Sequence, residues 1–355
     1  MNLALTLSRS RDAAIVGTLG VVLLVAILFS LTVGAVAIPI SDVMVILLKR
    51  LGLFAGVDVN GMHEIVMESI RLPRILLTVL IGGALGVSGA ALQGLFRNPL
   101  VEPSLIGVSG GSAAFVVLVI VFGGAFALPN EGWAFDLVLP AVAFVGGLIA
   151  TLLVLRLASQ QGRTNIAVLV LVGVAMNAFC GAIIGLSIFF ADENQLRTFT
   201  FWTLGDLGGA TWAKCIIAAP VLIVAPALLL VHARALNALA LGEAEAFHMG
   251  VDVERTKLKI ILLSALAVGV SVSMSGMIGF IGLVIPHLIR ILFHPDNRLV
   301  LPASILGGAL LLVLSDIVAR TVVMPSELPI GVVTAFIGAP FFMGLLIKAK
   351  KKNEL

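Results

Sequence analysis

Five histidines, two cysteines and a few acidic side chains are the groups in this 355-residue chain with the means to do chemistry, and their spacing works against it. His63, His232, His248, His287 and His294 include no two at metal-ligand spacing on one helix, and no HExxH occurs, so no metal site is expected. Cys180 and Cys215 have no CxxC or CxxH partner and fall in or beside apolar stretches, where they read as packing residues. The phosphate-cradling pattern GxxxxGK[ST] is absent, and the glycine-rich segments at 82–83 and 107–111 lack its lysine. Nucleotide binding by that loop is therefore not expected of this chain, nor is catalysis, for want of a His/Asp/Glu/Cys constellation. A charge at mid-bilayer costs about 2.5–3.5 kcal/mol, so acids deep in apolar segments would be functional candidates. The nearest case, Asp316 with Arg320, reads as a pair four apart on one helix.

The elements around these groups follow from composition. Apolar residues make up 60% of the chain and charged ones 12%, outside the soluble norm of roughly 45–50% and 25%. The apolar residues come in runs of roughly 17–25, enough for a helix to cross a hydrocarbon core about 30 Å thick. Ten spans are predicted, at about 13–36, 71–96, 104–123, 137–157, 165–190, 213–233, 257–274, 278–293, 301–319 and 329–347. The fold class is thus an all-α polytopic membrane protein, with 1–355 as one transmembrane domain. Residues 1–11 and the apolar run after them have the outline of a signal peptide, and Ala35-Val36-Ala37 resembles a cleavage site. The run is about twice as long as a 7–15-residue signal core and reads instead as the first span.

With residues 1–12 inside, the loops alternate and the 22 basic residues divide 15 to the inner side and 7 to the outer, the 348–352 tail included. That excess places both termini in the cytoplasm. The net charge of +3 is small and forms no basic stripe with interleaved aromatics, so nucleic acid is not an expected partner. Small residues recur at helix-contact spacing at Gly82/Gly86, Gly107/Gly111, Gly181/Gly185 and Gly205/Gly209, which predicts close backbone packing within one bundle. Leu85-Gly86-Val87-Ser88-Gly89 and Val268-Gly269-Val270-Ser271 are weakly alike on helices of opposite direction, as in an inverted repeat. Between the sixth and seventh spans, the loop 234–256 is long for a connector. Its composition suits a short helix that Asn237 starts and Gly250 ends, a structured cytoplasmic element suited to docking another protein.

Several long motifs then resemble one family. Arg71-Leu72-Pro73-Arg74, GALGVSGAALQGLFRNPLVEPSLIGVSGG at 83–111, LALGEAEAFHMGV at 239–251, GFIGLVIPHLIR at 279–290 and SDIVARTVVMPSELPIGVVTAFIGAPFF at 315–342 are similar to the vitamin B12, haem and ferric-siderophore permeases of bacterial ABC importers. The resemblance implies a ten-helix subunit in the inner membrane that forms a homodimer. Two ATPase subunits, which bind the ATP and Mg, lie below, and a periplasmic substrate-binding protein lies above. It implies that Leu239, Leu241, Gly242, Glu243, Ala246 and Gly250 belong to the helices that couple to the ATPase. Arg71, Arg74 and Arg320 match outer-face arginines that pair with carboxylates of the binding protein. The stretch 189–212 resembles the haem version of this region, making haem the expected cargo, with a ferric siderophore or a corrinoid as the alternative. A cargo path is placed at Met176, Asn177, Arg197, Met274 and Met277. Its methionines offer soft ligands, though methionine in an apolar helix is more often core filler. The chain has no tyrosine to ligate iron. An ion-coupled carrier is the reading from another class, and nearly acid-free spans weigh against it.

Overall fold

The computed structural model describes residues 2–53, 56–126, 135–161 and 163–351. They form α1 (Asn2–Thr32), α2 (Ile40–Arg50), α3 (Gly61–Val66), α4 (Leu72–Phe96), α5 (Val108–Phe122), α6 (Phe135–Ala158), α7 (Ile166–Phe189), α8 (Glu193–Leu204), α9 (Trp212–Val231), α10 (Ala233–Leu241), α11 (Glu243–His248), α12 (Val253–Ser275), α13 (Ile281–Leu292), α14 (Asn297–Thr321) and α15 (Ile330–Lys351). A π-helical turn over Met67–Arg71 joins α3 to α4, and a hairpin of β1 (Ser159–Gln160) with β2 (Arg163–Thr164) joins α6 to α7. Among the described residues, seven helices are long and apolar enough to cross a membrane, and three shorter apolar ones, 108–122, 281–292 and 330–344, occupy the remaining expected spans. Lys352, counted in the basic tail, lies outside the described residues.

Polar residues set where the spans begin. Asn165 accepts from the N–H groups of Ala167 and Val168 at the start of α7, and Asp252 accepts from that of Arg255 at the start of α12. Asp192 and Gln195 close a capping box on α8. Each satisfies amide donors that the first helical turn leaves free.

Backbone contact through glycine holds the centre together. Along α4, Gly82 and Gly86 lie against the backbone of Gly308 and Ser304 in α14, and Gly89 lies against Gly282 in α13. Gly111 meets Ala150 and Gly146 of α6 in the same way. In lipid, where apolar surface alone does not favour helix against helix, such approach supplies the packing. One predicted pair departs from this: Gly181 and Gly185 on α7 have nothing within 4 Å, so they take no part in packing within the chain. Gly209 precedes α9 and faces only the Lys214 ammonium and the Asp206 carboxylate.

Two short helices add to the expected internal repeat. α5 and α13 are the third and eighth spans, and each opens on a left-handed residue, Gly107 at φ 84° and Phe280 at φ 69°. Both follow an isoleucine–glycine step, Ile106-Gly107 and Ile278-Gly279. Phe280 holds its unusual backbone with its N–H donated to Glu102 Oε1 at 3.0 Å. Short, glycine-interrupted spans in matching positions of two halves are the usual mark of a transport path.

Candidate functional site

The candidate elements lie at the two ends of α4 and along the seam between. α9 runs parallel to α4, with Cys215 near Pro73 at one end and Leu236, just beyond α9, near Gly94 at the other. The first end gathers the arginines and the second carries the α10–α11 loop.

At the loop end the expected docking element is a helix pair. α10 stops at Leu241, Gly242 breaks the chain at φ 144°, and Gly250 at φ 85° turns it after α11. Asn237 does not start a helix: α10 begins at Ala233, directly after His232 ends α9, so Asn237 falls mid-helix. Its amide instead donates to Asp296 at 2.6 Å and its oxygen accepts from the Asn297 N–H at 2.9 Å, tying the loop to α14. Burial pushes the Asp296 carboxyl up, but the donors from Arg298 and Asn237 outweigh it and hold the group below its ordinary range.

Exposure sorts the six predicted loop residues into two kinds. Leu239 and Ala246 are buried and anchor the pair, whereas Leu241 is 68% exposed. Phe247 and Met249, which the sequence reading passed over, are 69% and 63% exposed. Three large apolar side chains are thus left exposed on a polar loop. Glu243 has its carboxylate 2.7 Å from the ammonium of Lys257.

At the opposite end, Arg71, Arg74 and Arg320 come together, but not as the exposed set expected of docking residues. They are 5%, 6% and 8% exposed. Asp316 sits between two of them, with Oδ1 at 2.8 Å from Arg74 Nη2 and Oδ2 at 3.0 Å from Arg320 Nε. The latter is an ion pair off the hydrogen-bond line. Arg74 also grips Glu327 with both terminal nitrogens, at 3.0 and 2.8 Å. Arg320 donates to Ser30 Oγ at 2.7 Å, and Arg71 donates to the carbonyls of Leu31 and Val36. The predicted Asp316–Arg320 pair is therefore real but part of a larger cluster. Its other members come from segments too distant in sequence for spacing to reveal.

Between the ends, Met176, Asn177 and Met277 converge on the breaks before α5 and α13. The Asn177 amide donates to the Ser104 carbonyl at 3.1 Å, and Met176 lies beside Gly107. Met277 borders a cavity of about 230 Å³ with Glu102, Ser104, Ser109 and Leu85. Met274 packs against the main apolar core, the bland alternative for a methionine. Arg197 stands apart on α8, its guanidinium 5.8 Å from the ring of Phe201. Two turns further along α8, Thr203 and Leu204 line an apolar groove of about 520 Å³ with Met277, Ala335, Phe336 and Met343.

Residues 22–348 match the FecCD transport family. The chain is 44% identical over 286 residues to the hemin transport system permease protein HmuU of Yersinia pestis, covering 81% of this chain and 84% of that one. It is 36% identical to the cobalamin import system permease protein BtuC of Halobacterium salinarum, over 96% of this chain and 97% of that one. Among solved structures, an inward-facing metal-chelate type ABC transporter superposes with a TM-score of 0.80 at 31% identity, covering 95% of this chain and 99% of the other.

Proposed function

We propose, starting from the fact that this chain belongs to the FecCD transport family, that it is the haem-translocating permease of its ABC importer. The chain is a multi-pass inner-membrane permease of an ABC importer, and it is not itself an enzyme. The observation that carries the haem reading is the groove between α8 and α15, whose lining of Leu204, Met277, Ala335, Phe336 and Met343 is apolar. Haem is a flat apolar ring with two carboxylates. A path of Leu, Ala, Phe and Met faces lets the ring pass without holding it. The similarity to a hemin permease supports the same cargo.

The remaining parts follow the same reading. Both termini face the cytoplasm, and a second copy of the chain completes the path, with the open face of α7 around Gly181 and Gly185 available to it. Two ATPase subunits, holding ATP and Mg, receive the α10–α11 loop. A periplasmic binding protein meets the arginine end, where three cations face the two anions Asp316 and Glu327. Arg71 is answered there by the carbonyls of Leu31 and Val36. Charges at such a contact orient and speed docking more than they tighten it.

Uptake into vesicles holding the permease, its ATPase and its binding protein tests the cargo. Haem is expected to enter on ATP addition, with cyanocobalamin and a ferric siderophore at least tenfold slower. Cyanocobalamin entering as fast as haem would replace the cargo and leave the permease assignment standing. The docking loop has its own test, since a few buried aromatic anchors usually carry an interface. Phe247→Ala is expected to weaken ATPase binding by about 2 kcal/mol, a roughly thirtyfold rise in Kd read by titrating the ATPase onto the solubilised permease. An unchanged Kd removes this loop from the interface.

A further inference from the structure

Lys257 lies in the second turn of α12 with its side chain 3% exposed, and three elements meet on its ammonium. Nζ donates to Glu243 Oε2 at 2.7 Å, to Glu254 Oε1 at 3.0 Å and to the Thr164 carbonyl at 3.3 Å. Glu254 Oε2 accepts in turn from the Thr164 N–H at 2.8 Å. The ring therefore joins the first residue of α11, the start of α12 and the last residue of the β1–β2 hairpin. All three ammonium donors are filled.

From this geometry we infer that Lys257 is a positioning residue: it straps the coupling loop to the two helices whose far reaches border the cargo path. The inference rests on the proposed coupling role of the α10–α11 loop and assigns a task that the reading leaves open. One helix is α12, which ends at Ser275. The Ser275 carbonyl accepts from the Asp206 N–H at 2.8 Å, and Met277 lies just beyond at the groove. The other is α7, whose cap Asn165 follows Thr164 directly and whose Met176 and Asn177 face the break before α5.

Electrostatics gives the strap its stiffness. A buried ammonium that loses one of its carboxylates is costlier than a fully paired one, so separating Glu243 from Lys257 is penalised and the two tend to move together. A buried ion pair is at the same time a poor device for stability, because an apolar replacement of similar volume often does as well. Its value here is directional. Glu243 is the single group of α11 in the ring, and solvent-filled grooves of about 930 and 690 Å³ lie on either side, both bordered by Arg163, Glu243 and Glu254. The α11 end of the loop is thus held to α12 and the hairpin by this ion pair, beside the apolar seat that Leu239 and Ala246 make in the core.

The test measures coupling and not rate. In vesicles holding the full complex, using whichever of haem, cyanocobalamin or ferric siderophore the unaltered complex takes up, Lys257→Met is expected to lower cargo delivered per ATP hydrolysed about tenfold. Lys257→Arg, which keeps the cation, is expected to retain at least half of the ratio. Adding Glu243→Gln to Lys257→Met is expected to cause no further loss, since both act through one contact. A ratio within twofold of normal for Lys257→Met, or losses that multiply in the double variant, overturns the inference. If Lys257→Met does not assemble, Glu243→Gln alone decides it, because Lys257 then keeps Glu254 and Thr164. An unchanged ratio in Glu243→Gln overturns the strap. Phe247→Ala separates the two levels. A normal ATPase Kd in that variant sinks the coupling-loop reading itself, whereas a raised Kd with a normal ratio in Lys257→Met sinks only the strap.

Discussion

Replacing Asp316 by alanine is expected to destabilise the permease by about 3–5 kcal/mol, a drop in melting temperature on the order of 10 °C in detergent. The carboxylate is 2% exposed and lies between Arg74 and Arg320, themselves nearly as buried. Without it two guanidiniums face one another in a low-dielectric setting, with Arg71 a third nearby cation. Ser30 and backbone carbonyls cannot replace a full negative charge. Asp316→Asn keeps the shape and one acceptor oxygen and is expected to fall between alanine and the native residue. Glu327→Gln is the informative contrast. That carboxylate contacts the same Arg74 at 2.8 Å but is 43% exposed, so water and salt screen it and its loss is expected to cost about 1 kcal/mol or less. Thermal unfolding of the three variants, followed by size-exclusion chromatography, checks the order. Equal losses for Asp316→Ala and Glu327→Gln would show that burial does not govern this cluster.

The same cluster shows where sequence reading reaches its limit. The spans were legible because each is an uninterrupted apolar run bounded by charge, proline or glycine, and the requirement to satisfy backbone groups in lipid leaves helices as the natural outcome. The α10–α11 pair was legible from its helix-forming composition and from Gly250, though the position of Asn237 misled because no cap is needed where one helix follows directly on another. α8 was not predicted as an element. It is short and amphipathic, and its signal, Asp192 followed three residues later by Gln195, is a capping box that precedes polar residues and no apolar run. The burial of Arg74 was not legible at all, since its partners lie 242 and 253 residues away. Lys257 counted only as one of the inner-side cations for the same reason. Its meaning depends on Glu243 and Thr164, which only the folded chain brings to it.

Gly89→Val is expected to abolish the folded permease, and Gly89→Ala to destabilise it by about 1–3 kcal/mol, the usual range for an overpacked methyl. A Cβ at this position would lie 2.5 Å from the Cα and carbonyl carbon of Gly282 and would run into its oxygen. Ordinary carbon contact needs roughly 3.5–4 Å, so α4 and α13 must part by about 1 Å. Neither helix is free to do so. Seven and three residues earlier on the same face of α4, Gly82 and Gly86 are pressed as tightly against α14, so a shift that relieves Gly89 disturbs the α4–α14 contact. Moving α13 also carries Gly282 and the Phe280 N–H, and with them the wall of the cavity that Glu102 and Met277 border. Gly269→Ala serves as the control. It too is a helical glycine deep in the bundle, but its Cβ would meet the Phe144 ring at 3.5 Å, an ordinary contact. There the gain of about 0.4–1 kcal/mol from restricting the unfolded chain is expected to appear as unchanged or slightly raised thermal stability. Fluorescence-detected size exclusion across a temperature series resolves the three variants. Intact Gly89→Val protein at the native melting temperature would show that the central helices yield to an added side chain and that close backbone approach does not hold this bundle together.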